Sequence, residues 1–389
     1  MLGYQEVVQQ AWEREVVPTN PFLRLHIKLQ RTGSRLRQWS RAKIGNVRLL
    51  LCAAKQLIGI LDVVQEFRQL TTQELQLKRD LKARYLGLAA VEKIRAKQQS
   101  RLTGIKAADA QSKLFFLQIN GRKRKNYIQK LQTKGGQVHS HSDKEQLIYQ
   151  HFSSHLGVPG PRHFTLDWDR LGLTQHDLSS LEKEFTEDEV HAAILDMASD
   201  KAPGPDGYIG AFYKASWEVI KGDLLEAINY FFSQHDQHFQ HLNSAHLILI
   251  PKKLDALKLS DYRPISLTHC AAKLVSKLLA ARLAPHLNVL ASRAQSAFIK
   301  KRSIHDNFLY TQNLVRDLHR LKKPALFLKL DIAKAFDSVR WDYLMETLSR
   351  MGFGPRWRAW VTILLSTAST SVLLNGGRGK WFKHKTGLR

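Results

Sequence analysis

The sequence is short of cysteine, with two in 389 residues. Cys52 and Cys270 lie far apart in apolar, helical-looking stretches, which excludes a disulfide framework and a cysteine-based zinc site. Acidic residues are also scarce, 34 Asp and Glu against 60 Lys and Arg, for a formal charge of +26. That imbalance points to a polyanionic partner, nucleic acid first and an anionic membrane surface second. Long apolar runs are missing. The most apolar window, Leu49 to Val64, is interrupted by Lys55, Gln56 and Asp62, and is too short and polar to span a bilayer. The start, M-L-G-Y-Q-E-V-V-Q-Q, lacks a basic region followed by an apolar run, so no secretory signal is expected and the chain reads as intracellular. Apolar content of 43% is ordinary, and the length allows two or three domains.

The most informative stretch is Ala325 to Trp341, A-L-F-L-K-L-D-I-A-K-A-F-D-S-V-R-W. Leu326, Phe327, Leu328 and Leu330, broken only by Lys329, predict a buried strand that delivers Asp331 at its C-terminal end. Ala333, Phe336, Val339 and Tyr343 recur at helical spacing, so a helix is predicted just past the aspartate. A carboxylate held at the mouth of a sheet suits a hard cation such as Mg²⁺, which takes one or two carboxylates plus substrate phosphates. The plainer alternatives are a helix cap for Asp331 and a core aromatic for Phe336.

This segment resembles the first catalytic motif of reverse transcriptases, in the form found in plant-type non-LTR (LINE-like) retrotransposons. The resemblance implies that Asp331 binds the catalytic Mg²⁺ ions and that Phe336 is the aromatic gate that excludes a 2′-hydroxyl. Asp337 reads as a structural carboxylate. The implied fold is α+β: a long helical N-terminal arm over 1–100, a basic connector and linker over 101–180, and the fingers and first part of the palm of a right-hand polymerase over 181–389.

Further stretches follow in order. Residues 1–40 contain Pro18 and Pro21 and a basic strip of Arg24, Lys28, Arg31, Arg35 and Arg37. From Arg41 to Arg101 there is no proline, and apolar residues at three- and four-residue steps predict one long helix or a helical hairpin broken near Thr71-Thr72. Strict heptads are not sustained, which favours an arm packing on itself over a dimerising coiled coil. In residues 101–135, Phe115, Phe116 and Tyr127 accompany the block Arg122, Lys123, Arg124, Lys125, a pattern suited to a phosphate backbone and stacked bases. A solvated face or a nuclear import signal is the alternative. The segment resembles the connector between endonuclease and polymerase in plant LINE proteins, with Leu117 in place of a His and Ala107-Ala108 in place of a Gly and an acidic residue.

The run T-E-D-E-V at 186–190 predicts a helix start with an acidic first turn. Asp200 to Tyr208, D-K-A-P-G-P-D-G-Y, forms a rigid loop in which Gly204 and Gly207 allow positive φ or a close backbone approach. It resembles the start of the non-LTR fingers, which implies that Lys201 and Asp206 touch the template or order the loop. Ala245 to Leu249 and Asp261 to Thr268 predict a hairpin whose Lys252 and Arg263 could hold a triphosphate, a role the family gives its fingers Lys and Arg. A helix is expected from Cys270 to Leu290, with Lys273, Lys277 and Arg282 on its polar side. Gln295 to Asn307 resembles the next family block, which implies a template groove lined by Gln295, Phe298 and Arg302; Lys301 replaces a Gly common there. Arg340 to Val361 reads as one helix and Ser366 to Gly376 as a strand ending in a glycine turn.

In the family, G-L-R is followed by Q-G-D-P-x-S-P and later by an aromatic-x-Asp-Asp box. This chain ends at Gly387-Leu388-Arg389 and contains no Asp-Asp pair. The expectation is therefore a truncated RNA-directed DNA polymerase, inactive as an isolated chain and lacking a thumb. Its expected partners are an RNA template, a DNA primer and deoxynucleoside triphosphates, with no membrane and a nuclear location. The alternatives are a non-catalytic nucleic-acid-binding remnant and a helical scaffold that dimerises through residues 41–100.

Overall fold

The computed structural model describes residues 3–102, 112–133, 135–159, 161–233, 237–332 and 334–388. Ala107, Ala108, Ala333 and Arg389 lie outside the described residues. The chain divides into two compact units, each built from separated stretches. The first takes Met1–Val16, Ile27–His139 and Leu249–Arg263; the second takes Val17–His26, Ser140–Ile248 and Pro264–Arg389. The linear division at 100 and 180 does not coincide with these units, because residues 249–263 group with the N-terminal helices.

The described residues of 1–16 and 27–139 in the first unit are helical apart from one short hairpin, and residues 249–263 add the adjoining ends of two strands. Helices α1 (Tyr4–Trp12), α2 (Pro21–Ile44), α3 (Val47–Phe67), α4 (Thr72–Ser100) and α5 (Ser112–Asn126) precede strands β1 (Leu131–Thr133) and β2 (Gly136–Val138). Pro21 opens α2, where its missing N–H costs nothing, and the Asn20 side chain accepts from the N–H groups of Phe22 and Leu23. Arg31 of the basic strip donates to the carbonyls of Ala11, Trp12, Arg14 and Glu15, satisfying the orphan acceptors that follow α1. The break near Thr71 is a capping box: Thr71 and Glu74 each bond the other's backbone N–H. Helices α3 and α4 form a hairpin cross-linked by Lys78 to Asp62 at 2.5 Å and Arg48 to Glu92 at 3.0 Å.

The second unit begins with α6 (His141–Leu156), α7 (Trp168–Leu171), α8 (Glu187–Leu195), α9 (Gly210–Ala215) and α10 (Trp217–Ser233). Strands β3 (Ser244–Pro251) and β4 (Tyr262–Thr268) and helices α11 (Cys270–Leu283), α12 (Leu287–Leu290), α13 (Ile304–Arg320), α14 (Trp341–Arg350) and α15 (Pro355–Ser366) follow, then β5 (Ser369–Leu374) and β6 (Gly377–Lys383). Thr186 caps α8 with Glu189 as its reciprocal partner, as the T-E-D-E-V run predicts. The sheet order is β4-β3-β5-β6, with β3 and β5 parallel and β5 and β6 antiparallel. Asn375 and Gly376 turn the β5–β6 hairpin at φ +51° and +93°, the conformation that favours Asn-Gly. The sequence reading found β5 and its turn but not the returning strand.

An aromatic cluster centres this unit. Phe185 stacks on Phe232 with centroids 4.2 Å apart, Phe232 meets Trp360 edge-on at 4.5 Å, and the Trp360 indole N–H bonds the Phe232 carbonyl at 3.1 Å. Such pairs add about 1 kcal/mol each beyond their burial. The single helix expected over 340–361 is two helices. Gly352, at φ +92°, lies where an added Cβ would sit 2.1 Å from the His176 carbonyl oxygen, and Pro355 then opens α15. Among the described residues no helix is long and apolar enough to cross a membrane.

Candidate nucleotide and template site

The turn at Lys334–Ser338 borders a cavity of about 490 Å³, to which Lys334, Phe336, Asp337, Ser266 and His384 contribute. Three backbone or indole donors fix this turn. Leu388 N–H bonds the Phe336 carbonyl, Gly387 N–H the Val339 carbonyl, and the Trp341 indole N–H the Gly387 carbonyl, each at 2.8 Å. Gly387, at φ +74°, is needed there, since a Cβ would lie 2.8 Å from the Asp337 carbonyl oxygen. Phe336 is thereby held with its ring edge-on to Phe298, centroids 6.2 Å apart, and both rings stay largely exposed. Burial pushes the Asp337 carboxyl up, against the opposing pull of Lys334 and His155. His151 is pushed down to about 4 by burial, with His155 and Lys334 adding to the effect. His384 is buried, its Nε2 2.7 Å from the Thr370 hydroxyl.

Asp331 is exposed and lies on irregular chain, not at the end of a strand. The predicted strand does not form: Leu326 is 87% exposed, Leu330 79% and Ile332 73%, and the segment pairs with none of the four sheet strands. A strand needs a neighbour to satisfy its backbone, and the apolar run has none among the described residues. The helix expected just past the aspartate is likewise a turn over 334–338, and helical chain resumes only at α14. Among the described residues no group of three His, Cys, Asp or Glu side chains could hold a metal. Asp331 thus fits Mg²⁺ as a single carboxylate arm that needs substrate phosphates to complete the shell, and it does not fit a cage made by protein alone.

The neighbouring block folds back on itself. Arg302 donates to the carbonyls of Ser292, Gln295 and Ala291 and to Asn288 Oδ1, closing the 288–302 loop. Gln295 is exposed and bonds the Ala297 carbonyl. Lys301, at φ +69°, sits in the left-handed region where the family's glycine would be unstrained. Lys301→Gly is expected to stabilise the protein by about 0.5 kcal/mol, the relief of left-handed strain exceeding the glycine's extra unfolded-state entropy. A thermal melt that falls instead of rising would refute this.

The Asp200–Tyr208 loop seats against α11. Its Gly204 has no room for a Cβ, which would lie 2.3 Å from the Thr268 carbonyl oxygen, and Gly207 supplies the positive φ of +76°. Asp206 is 2% exposed; its Oδ2 accepts the Cys270 N–H at 2.9 Å, which caps α11. Of the two roles expected for Asp206, its hydrogen bond to the Cys270 N–H is a contact of the loop-ordering kind. Its Oδ1 and the Tyr213 hydroxyl are buried without partners. Burial pushes the Cys270 thiol up to about 12 and the Tyr213 hydroxyl well above its usual range. Lys201 is exposed at the loop's outer end.

In the first unit, Lys252 Nζ bonds the Ser260 carbonyl at 2.8 Å and Lys253 pairs with Asp261 at 2.9 Å. Lys253 is the leading cause that brings the Asp261 carboxyl down to about 2. Arg263 is exposed with no hydrogen-bond or ion-pair partner among the described residues. The block Arg122–Lys125 forms the last turns of α5. Arg122 bonds the Gln99 carbonyl, and Lys123, Arg124 and Lys125 are exposed. The stacking part of that expectation is corrected: Phe115 is fully buried against Ala96 and Ile119, and Phe116 packs beside it, because α5 turns its aromatics into the core. Only Tyr127 of the three rings is exposed.

Comparison with known proteins agrees with the motifs. Residues 250–389 match the family described as Reverse transcriptase (RNA-dependent DNA polymerase). The chain is 30% identical over 209 residues to the Transposon TX1 uncharacterized 149 kDa protein of Xenopus laevis, covering 54% of this chain and 16% of that one. It is 25% identical to the retrovirus-related Pol polyprotein from type-1 retrotransposable element R2 of Nasonia vitripennis, over 60% of this chain and 21% of the relative. The type-2 element R2DM protein of Drosophila melanogaster is 27% identical over 46% of this chain and 16% of its own length. The chain thus spans between 16% and 21% of the length of these relatives. Residues 250–389 thus match the reverse transcriptase family, and the chain is similar to proteins of a transposon and of retrotransposable elements.

Proposed function

We propose that the chain is the nucleotide- and template-binding portion of an RNA-directed DNA polymerase of a non-LTR retroelement, acting in the nucleus on an RNA template and a DNA primer. In this reading Asp331 holds Mg²⁺ together with a deoxynucleoside triphosphate and Phe336 gates the sugar, while Lys252 and Arg263, in the first unit, bind phosphate. Lys201, Gln295, Phe298 and the loop closed by Arg302 take the template, and Arg122–Lys125 contact the backbone. The fingers and first part of the palm then lie over residues 181–389, with residues 1–100 as a helical arm. The observation that carries the reading is the pairing of Phe298 with Phe336, which lines a cavity of about 490 Å³, inside the stretch that matches the family. When bound, the metal neutralises triphosphate charge; the chain's own residues orient the sugar and keep the turn closed through Trp341, Gly387 and Leu388.

Equilibrium binding of a deoxynucleoside triphosphate, with and without Mg²⁺, tests this. Tighter binding with Mg²⁺ is expected, weakened about tenfold in Asp331→Ala, the loss of one charged contact. Equal binding by the variant, or none by the unaltered protein, refutes the reading. One observation favours a narrower role for this polypeptide on its own: among the described residues Asp331 belongs to no group of three or more His, Cys, Asp or Glu that could hold a metal. Primer extension by the 389-residue chain is accordingly expected at background while nucleic-acid binding persists; Mg²⁺-dependent incorporation that disappears in Asp331→Ala would refute the narrower role.

A further inference from the structure

Helix α11 carries three cations on its polar side, and they are used differently. Arg282 is spent on structure: it forks onto Glu189 and bonds the carbonyls of Leu181, Lys183 and Glu184. Lys273 and Lys277 lie one turn apart, a like-charge spacing that costs a helix a few tenths of a kcal/mol. They line a cavity of about 300 Å³ with Lys201 and Asp196. Lys273 and Lys201 have no side-chain partner among the described residues, while Lys277 is paired with Asp196. Lys277 leads in depressing the Asp196 carboxyl, and Lys300 and Lys214 contribute to the same field. Three lysines and one carboxylate thus line a concave surface, and two of the three lysines have no internal side-chain partner among the described residues.

We propose that this pocket seats phosphate groups of single-stranded RNA, with Lys201, Lys273 and Lys277 as the contacting cations and Asp196 as the carboxylate that must release Lys277. The proposal rests on the template-copying reading and extends it to two residues on α11 that the family motifs do not assign. Charge complementarity selects the occupant, since a cleft lined by one sign of charge concentrates a polyanion.

Fluorescence anisotropy with a single-stranded RNA oligonucleotide over a range of salt concentrations tests it. In the double variant Lys273→Gln/Lys277→Gln the log–log salt slope is expected to shrink by about 1.4, two phosphates at about 0.7 each. Lys322→Gln/Lys323→Gln, which removes the same charge from an exposed turn, should leave the slope unchanged. Asp196→Asn should tighten binding about threefold, which a merely structural role for Asp196 would not do. A slope unchanged in the α11 variant, or reduced equally in the control, overturns the proposal while leaving the template reading intact. Absence of RNA binding by the unaltered protein overturns both. Tight binding of sodium tripolyphosphate that is lost in the α11 variant, with its RNA slope unchanged, would assign the pocket to free triphosphates and also overturn the proposal.

Discussion

Replacing Gly204 by Ala is expected to destabilise the protein by about 3 kcal/mol, at the upper end of what forced overpacking costs. The added methyl would meet the backbone of Thr268 and His269, 2.3 Å from the Thr268 oxygen and 2.8 Å from the His269 nitrogen. No side chain can swing away to admit it. Relief requires the loop to lift from the end of β4, which also pulls Asp206 off the Cys270 N–H that it caps. Gly207→Ala makes an internal control. Its Cβ would meet nothing within 4 Å, so only the positive φ is penalised, at about 1 kcal/mol. Chemical denaturation of the two variants separates the effects: equal midpoints would show that Gly204 is not a close-approach site.

Arg282→Ala is expected to cost about 3 kcal/mol, a value already reduced for the partial exposure of Glu189. The guanidinium, 11% exposed, makes two bonds of 2.9 Å to Glu189 and lies 3.4 Å from the Phe185 ring centre. Removing it strands three carbonyls and unseats the face of Phe185 from the aromatic cluster. Lys at this position cannot fork, so Arg282→Lys should recover little. The pair also sets an acid limit. Arg282 leads in holding the Glu189 carboxyl below its ordinary value. A depressed folded-state value gives stability that is present above the unfolded value and lost as pH falls through the folded one. The acid limb of stability against pH should therefore flatten in Arg282→Ala; an unchanged limb would remove Glu189 from the account.

Local signals carried much of the architecture. The capping box at Thr71, the acidic start of α8, the Asn-Gly turn after β5 and the close approach at Gly204 are each properties of a few adjacent residues, and each is visible as a string. What was not legible depends on a partner. The apolar run before Asp331 has the composition of a buried strand, but a strand is a relation between two segments, and among the described residues none pairs with this one. Phe115 and Phe116 look like stacking platforms until the helical turn of α5 points them at Ala96. Lys273 and Lys277 passed as a solvated face because sequence does not show that Arg282, on the same face, is already engaged. Their like-charge spacing was the available signal. The clamp of Trp341, Gly387 and Leu388 on the Phe336 turn joins residues some fifty positions apart, beyond any periodicity.

The uncovered run at 326–332 has a practical consequence for handling the polypeptide. Leu326, Phe327, Leu328 and Leu330, bare to solvent, form a template on which identical segments from other molecules can stack. Lys329 is the one charge between Leu326 and Leu330, and in that setting it acts as a gatekeeper, since each added layer would bring lysines into register. Colloidal stability of this chain should therefore depend on a single ammonium: Lys329→Leu is expected to precipitate at a lower concentration than the unaltered chain, and high salt, by screening that repulsion, should lower the threshold of the unaltered chain as well.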